Sequence, residues 1–190
     1  KKKIAYHETG HVLMAKFLPQ ADPLKKVTIV PRGRAMGATQ QLPEEDRHNM
    51  TRGYLLDRIG VMLGGRVAEK IMLDDLTTGA EDDLKKASQL ARRMVCQMGM
   101  SDKIGPVTFR QGEQHPFLGR EITQPKDFSE HTAQLIDEEV QRIIQEKEKQ
   151  AEDILRSEQK QLESIAKALT ERETLTDEEV AKIMGEDAGG

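Results

Sequence analysis

The sequence predicts a mainly α, multi-helical domain with a small β hairpin or edge strand beside a histidine-bearing helix. Three observations carry that prediction. Apolar residues recur at helical spacing over long stretches, as in Leu84, Ala87, Ala91, Met94, Val95 and Met98. Only one early run, Leu24 to Pro31, is short, β-branched and partly alternating, and a glycine-punctuated turn, Arg32-Gly33-Arg34-Ala35-Met36-Gly37, follows it. The composition also suits helices. Charged residues make up 33%, hydrophobic residues 36% and aromatics 3%, so aliphatic side chains and the 9 methionines must fill the core.

The first helix, before Pro19, carries the densest chemistry. Ile4, Val12, Ala15 and Leu18 fall near one stripe, and within it stands His7-Glu8-Thr9-Gly10-His11, the pattern H-E-x-x-H. Positions i and i+4 lie one above the other on a helix, so His7 and His11 point the same way. Two neutral imidazoles on one face chelate zinc, and Glu8 between them is placed to act as a base on water. The bland reading is a core helix that happens to hold two histidines. It would bury two imidazoles and a carboxylate that all need partners.

Leu24 to Val30 then reads as a strand and Ala38 to Leu42 as a second. In zinc peptidases a strand near the motif helix commonly offers an unpaired edge to an extended substrate, which gives Val27, Thr28, Ile29 and Val30 a substrate-aligning reading. An ordinary strand closing the core is the alternative. A polar loop from Pro43 to Arg47 leads to a helix that starts at Asn49 or Thr51. That helix has too many apolar positions for one stripe and must be buried on several sides. Gly64-Gly65 inside it marks close backbone approach or a kink. Arg66 reads as structurally paired, and Glu69 as either its partner or a brace for a metal ligand.

Asp74 to Leu84 is the second chemically loaded stretch. Thr77 or Thr78 is a candidate N-cap, and acids in the following turn suit the helix dipole. A catalytic zinc also needs a third protein ligand. Spacing does not choose among Glu69, Asp74, Asp75, Glu81, Asp82 and Asp83. Beyond the helix that ends at Gly99, residues 112–127 are polar and Pro/Gly-punctuated and read as a mobile loop. His48, His115 and His131 read as solvated. From Ser129 the chain is helical and charged, and Thr176-Asp177-Glu178-Glu179 reads as a capping box.

The chain as a whole, 190 residues, divides on this reading into a catalytic part (1–127), a helical part (128–185) and a tail (186–190). A net charge of −4 gives no reason to propose nucleic acid as a partner. Cys96 is the only cysteine, which excludes an internal disulfide and fits a reducing compartment. No run approaches the roughly 18 apolar residues of a membrane span, so the chain reads as soluble. Opening on Lys1-Lys2-Lys3 so close to the motif, it reads as a domain cut from a longer polypeptide.

Several pieces in order resemble one family, the FtsH-type membrane-anchored, ATP-dependent zinc metalloproteases, in their C-terminal peptidase domain. They are Ala5 to His11, Val27 to Gly33, Leu42 to Arg47, Leu63 to Glu69, Thr77 to Leu84, Met100-Ser101, Gly105 to Val107 and Glu173 to Leu175. Thr9 departs from the alanine usual at that place. The resemblance implies His7, His11 and Asp83 as ligands of one Zn2+ per chain, Glu8 as general base and Glu69 as a partner beside the site. It also implies a homo-oligomer, a six-membered ring, acting on unfolded or damaged proteins. The full-length protein would sit at the cytoplasmic face of a bacterial-type inner membrane, touching it only through segments outside this chain. ATP would be used only by the full-length protein, since no phosphate-binding loop stands in these residues. The implied reaction is peptide-bond hydrolysis by a zinc-activated water. The rival readings are a structural ring module with a non-catalytic metal site and a free-standing small-peptide metallopeptidase.

Overall fold

The computed structural model describes residues 1–43, 49–110, 114–117, 120–123 and 125–185. The chain forms two compact units, Lys1–Ala87 with Glu146–Gly190, and Ser88–Gln145. In chain order the elements are α1 (Lys2–Phe17), β1 (Leu24–Thr28), β2 (Ala38–Gln41), α2 (Arg52–Leu73), a 3-10 turn (Thr78–Ala80) and α3 (Glu81–Cys96). There follow β3 (Gln114–Phe117), β4 (Arg120–Thr123), α4 (Glu130–Ser157), α5 (Gln159–Arg172), β5 (Thr174–Thr176) and α6 (Asp177–Ile183). The mainly helical character read from the sequence is what the structure has.

In the first unit α1 is the hub. It packs on α2 and α5 and touches β1 and β2. Every residue from His7 to Ala15 is buried, so the helix has no solvent face there, unlike the single stripe expected from its apolar spacing. Neighbours on every side cover it. Val12, Leu13 and Met14 are wholly buried in one cluster with Val27, Leu155, Leu162, Ile165, Leu169 and Leu175. The α1–α2 crossing is close because glycines face each other. A Cβ added to Gly10 would lie 2.1 Å from the Gly64 carbonyl oxygen, so only hydrogen fits there. The expected close approach at Gly64-Gly65 is therefore real, and α2 runs through both glycines. Thr51 caps α2, its hydroxyl accepting from the Tyr54 amide.

The sheet has the order β2-β1-β5, all antiparallel. Val27 pairs with Thr39 on one side and Leu175 on the other, and Thr28 with Ala38 and Thr174. The Ile29 amide, just past β1, donates to the Glu173 carbonyl at 2.9 Å. This corrects the expectation for Val27, Thr28 and Ile29, while Val30 lies past the strand with its amide donating to the Thr28 hydroxyl at 3.1 Å. β1 is the central strand, so Val27 and Thr28 have no free edge for a substrate, and Ile29 is already bonded. The outer strand next to α1 is β2. At the far end of the sheet, Thr176 and Glu179 form the expected capping box at the start of α6.

The second unit holds the rest of α3, the first part of α4 and an antiparallel β3–β4 pair, Gln114 opposite Thr123 through Phe117 opposite Arg120. That pair lies in the stretch read as a mobile loop. Its strands are short and lack apolar alternation, so no period-2 signal marks them. Within this unit buried Glu139 accepts from the Ser101 hydroxyl at 2.5 Å and from Arg142 at 2.6 Å. The Arg142 guanidinium, aided by Ser101, outweighs burial and holds the Glu139 carboxyl below the usual range. The expected tail, 186–190, and His48 lie outside the described residues.

Candidate metal centre

His7 and His11 stand one turn apart on α1, and both are 8% exposed. The Nδ1 atom of each ring is already engaged. His7 Nδ1 lies 2.6 Å from Glu69 Oε1, and His11 Nδ1 lies 2.7 Å from the Val61 carbonyl oxygen. A carbonyl and a carboxylate only accept, so both Nδ1 atoms donate and the neutral rings present bare Nε2 lone pairs. These lone pairs face the same point. The two Nε2 atoms are 3.0 Å apart, and Asp83 Oδ2 is 3.1 Å from that of His7 and 3.2 Å from that of His11.

Three electron-pair donors at the corners of so small a triangle repel one another unless a cation sits among them. A tetrahedral zinc with bonds of about 2.0 Å would hold its ligands about 3.3 Å apart, so these three need to move only slightly to fit. His7, His11 and Asp83 are the one such group of three among the described residues, with ligand atoms within 4.8 Å of one another. A proton can take the place of the cation. Burial opposes charge on the His11 ring, but the Asp83 carboxylate, with Glu8 and the Val61 carbonyl, outweighs it and pushes its pKa up to about 9. Burial likewise opposes charge on Asp83, yet the imidazoles of His11 and His7 beside it hold its carboxyl well below the ordinary range.

The sequence folds this way for local reasons. Thr77 caps the 3-10 turn through its hydroxyl and, through its amide, donates to Glu69 Oε2 at 2.9 Å. Glu69 thus joins the ring of His7 to the turn that leads into α3, whose first turn carries Asp83. Gly65 forms the floor. A Cβ there would lie 2.6 Å from His7 Cε1 and 2.7 Å from His11 Nε2. The other acids go elsewhere. Asp74 takes a left-handed conformation as the C-cap of α2, Asp75 accepts from the Leu76 amide, and Asp82 pairs with Lys86 in solvent. Arg66 reaches Glu148 at 3.7 Å rather than Glu69.

Glu8 is 6% exposed and lies against β2. Its Oε2 accepts from the Thr39 hydroxyl at 2.7 Å, and a Cβ on Gly37 would lie 2.9 Å from its Oε1. Thr39 and the Val61 carbonyl escape a reading of the sequence alone, and Gly65 is legible there only as a close-approach glycine, not as part of the site. Two act through backbone or the absence of a side chain, and Thr39 is an unremarkable residue of a short strand. Together the arrangement can hold a divalent cation with an acid/base carboxylate beside it.

Comparison with known proteins agrees with this chemistry. The model of peptidase family M41 matches residues 1–183. The chain is 60% identical over 184 residues to the ATP-dependent zinc metalloprotease FtsH of Nitrosococcus oceani, covering 97% of this chain and 29% of that protein. It is 52% identical to the ATP-dependent zinc metalloprotease FtsH 4 of Sphaerobacter thermophilus, over 97% of this chain and 28% of that one. Against FtsH of Pseudothermotoga lettingae it is 48% identical over its whole length and 30% of the relative. The chain therefore spans less than a third of the length of these curated relatives.

Proposed function

The chain belongs to peptidase family M41, and from that premise we propose that it is the zinc-dependent endopeptidase module of an ATP-driven, membrane-anchored protease. Its substrates would be unfolded, damaged or membrane-extracted proteins. The ATPase and membrane segments would lie in the rest of the polypeptide, placing the whole at the cytoplasmic face of a bacterial-type inner membrane. A homohexamer is the assembly the resemblance favours. Among the described residues no helix of this chain is long and apolar enough to cross a membrane.

The observation that carries the reading is the donor triangle of His7, His11 and Asp83 with Glu8 beside it. These three would hold one zinc ion per chain. Bound zinc supplies Lewis acidity, which acidifies water and polarises a peptide carbonyl. Glu8 receives the proton of the attacking water and passes it to the leaving amine as the C–N bond breaks. Glu69 and the Val61 carbonyl fix which nitrogen of each ring faces the ion. β2, whose outer side has no partner strand among the described residues, would receive an extended substrate by backbone hydrogen bonds. A structural metal site usually closes its fourth position with a protein ligand, whereas among the described residues three donors converge here.

The test is casein hydrolysis by the full polypeptide carrying this chain, zinc-loaded and supplied with ATP, beside Glu8→Gln, with zinc measured on both. Cleavage should fall at least about 100-fold in Glu8→Gln while zinc stays bound. Equal cleavage by the two proteins would remove Glu8 from the mechanism. Zinc bound with no cleavage by the unsubstituted protein would favour the structural module instead.

A further inference from the structure

We propose that Thr39 is a positioning residue for the Glu8 base, and that through it the orientation of the base is tied to strand β2. This inference rests on the peptidase reading above. Among the described residues, Glu8 is the carboxylate of the site with no hydrogen bond to an imidazole. His7 has Glu69, His11 has Val61, and Asp83 has both rings. Glu8 accepts from Thr39 of β2 and has Gly37, just before that strand, beside it.

The contact is two-sided. Thr39 donates its hydroxyl to Glu8 Oε2 at 2.7 Å and lies 3.3 Å from the Glu8 carbonyl oxygen as well. Gly37, just before β2, lies beside Oε1 and Cγ with no side chain of its own. A Cβ there would lie 2.9 and 3.0 Å from those atoms. The carboxylate is thus held at one oxygen and packed at the other, which removes the free rotation an exposed glutamate keeps. A hydroxyl serves better here than an amide or ammonium group. It directs a single proton to one oxygen and leaves the other lone pairs of the carboxylate free for water.

The strand matters because Thr39 bonds in two directions. Its backbone is paired with Val27, and its side chain reaches the base, while the outer side of β2 is the edge where substrate would add. A peptide that extends the sheet also stiffens the residue that aims Glu8. Displacing a reacting group by about 1 Å can cost roughly 100-fold in rate, so loss of this hydroxyl should fall on turnover and not on substrate affinity.

Thr39→Val keeps the branched shape and removes the donor. In the full zinc-loaded polypeptide we expect kcat on a fluorogenic peptide to fall about 10- to 100-fold, with KM within about twofold and zinc content unchanged. Thr39→Ser should recover most of the loss and Thr39→Ala should not. If Thr39→Val melts early or loses zinc, the Ser and Ala pair decides, since they differ only in the hydroxyl. In the Glu8→Gln background, Thr39→Val should leave affinity for the same peptide unchanged, which separates aiming the base from shaping the strand. Wild-type turnover in Thr39→Val, equal turnover in Ser and Ala, or a rise in KM at constant kcat would each overturn the proposal. A Glu8→Gln protein as active as wild type would remove Glu8 as the base, and this inference with it, whereas a zinc-loaded wild type that cleaves no peptide would overturn the peptidase reading itself.

Discussion

Gly10 and Gly64 meet backbone to backbone at the crossing of α1 and α2, each leaving no room for a Cβ on the other. The added atom would lie 2.1 Å from the Gly64 oxygen in one case and 2.6 Å from the Gly10 oxygen in the other. Alanine favours a helix by about 1 kcal/mol over glycine. Here that gain is opposed by a clash with main chain, which no rotamer can relieve. Gly10→Ala and Gly64→Ala should each destabilise by about 3 kcal/mol or more. Urea titration checks this, and an unchanged midpoint would mean the crossing is looser than described.

Asp83 and its neighbour Asp82 offer a matched comparison. Asp83 sits in the donor triangle, whereas Asp82 is 71% exposed and paired with Lys86. Asp83→Ala should abolish stoichiometric zinc binding and cleavage together. Asp82→Ala should leave both within about twofold, as expected for loss of a surface pair. Zinc retained by Asp83→Ala would assign the third ligand elsewhere.

Glu69 accepts from His7 on one oxygen and from Thr77 on the other. Its loss frees the imidazole to turn and the 3-10 turn to drift. Glu69→Ala should weaken zinc affinity by roughly 10- to 100-fold, the usual scale for removing a ligand's outer partner. Competition with a calibrated chelator measures it. A change under twofold would make the carboxylate a bystander.

The metal-free site has a pH dependence whose sign follows from its two shifted groups. His11 is raised from 6.5 to about 9, so its contribution to stability is complete below pH 6.5 and is lost as pH rises through about 9. Asp83 is lowered below its ordinary value of 3.8, so its contribution is present above that value and lost on further acidification. Zinc needs the same His11 nitrogen unprotonated. The rise in melting temperature on adding zinc should therefore grow between pH 6 and pH 9. Scanning calorimetry with and without zinc reads this directly. A zinc-induced shift independent of pH would contradict the proton's place in the triangle.

The parts of the site legible in the sequence are those whose geometry is local. His7, Glu8 and His11 share two turns of one helix, and helical periodicity suffices to put both imidazoles on one side. Asp83 is 76 residues from His7, and spacing leaves six acids open for a third ligand that only the family resemblance narrows to one. Nothing in its spacing marks it, because its position depends on where α2 ends and how Thr77 turns the chain. The role given to β1 failed for a similar reason. β5, which takes its second side, is three residues long and too short to show a period. Arg66 finds Glu148 in α4 and not the helical neighbour Glu69, because Glu69 is held by His7 and Thr77. α2 and α6 are readable from their caps, with Thr51 and Thr176 at the starts that their hydroxyls imply, and the other helices from apolar spacing.

The pairing of β1 with β5 joins Thr28 to Thr174 across 146 residues of chain. During synthesis α1 emerges long before the strand that closes the sheet beside it. At about 5 to 20 residues per second, the interval is roughly 7 to 30 s. Throughout it Val27, later wholly buried against Leu175 and the α5 side chains, lacks that cover. The nascent chain thus carries its His-Glu-x-x-His motif well before the scaffold around it is closed, and the surroundings of that motif are completed only when the last tenth of the chain has been made.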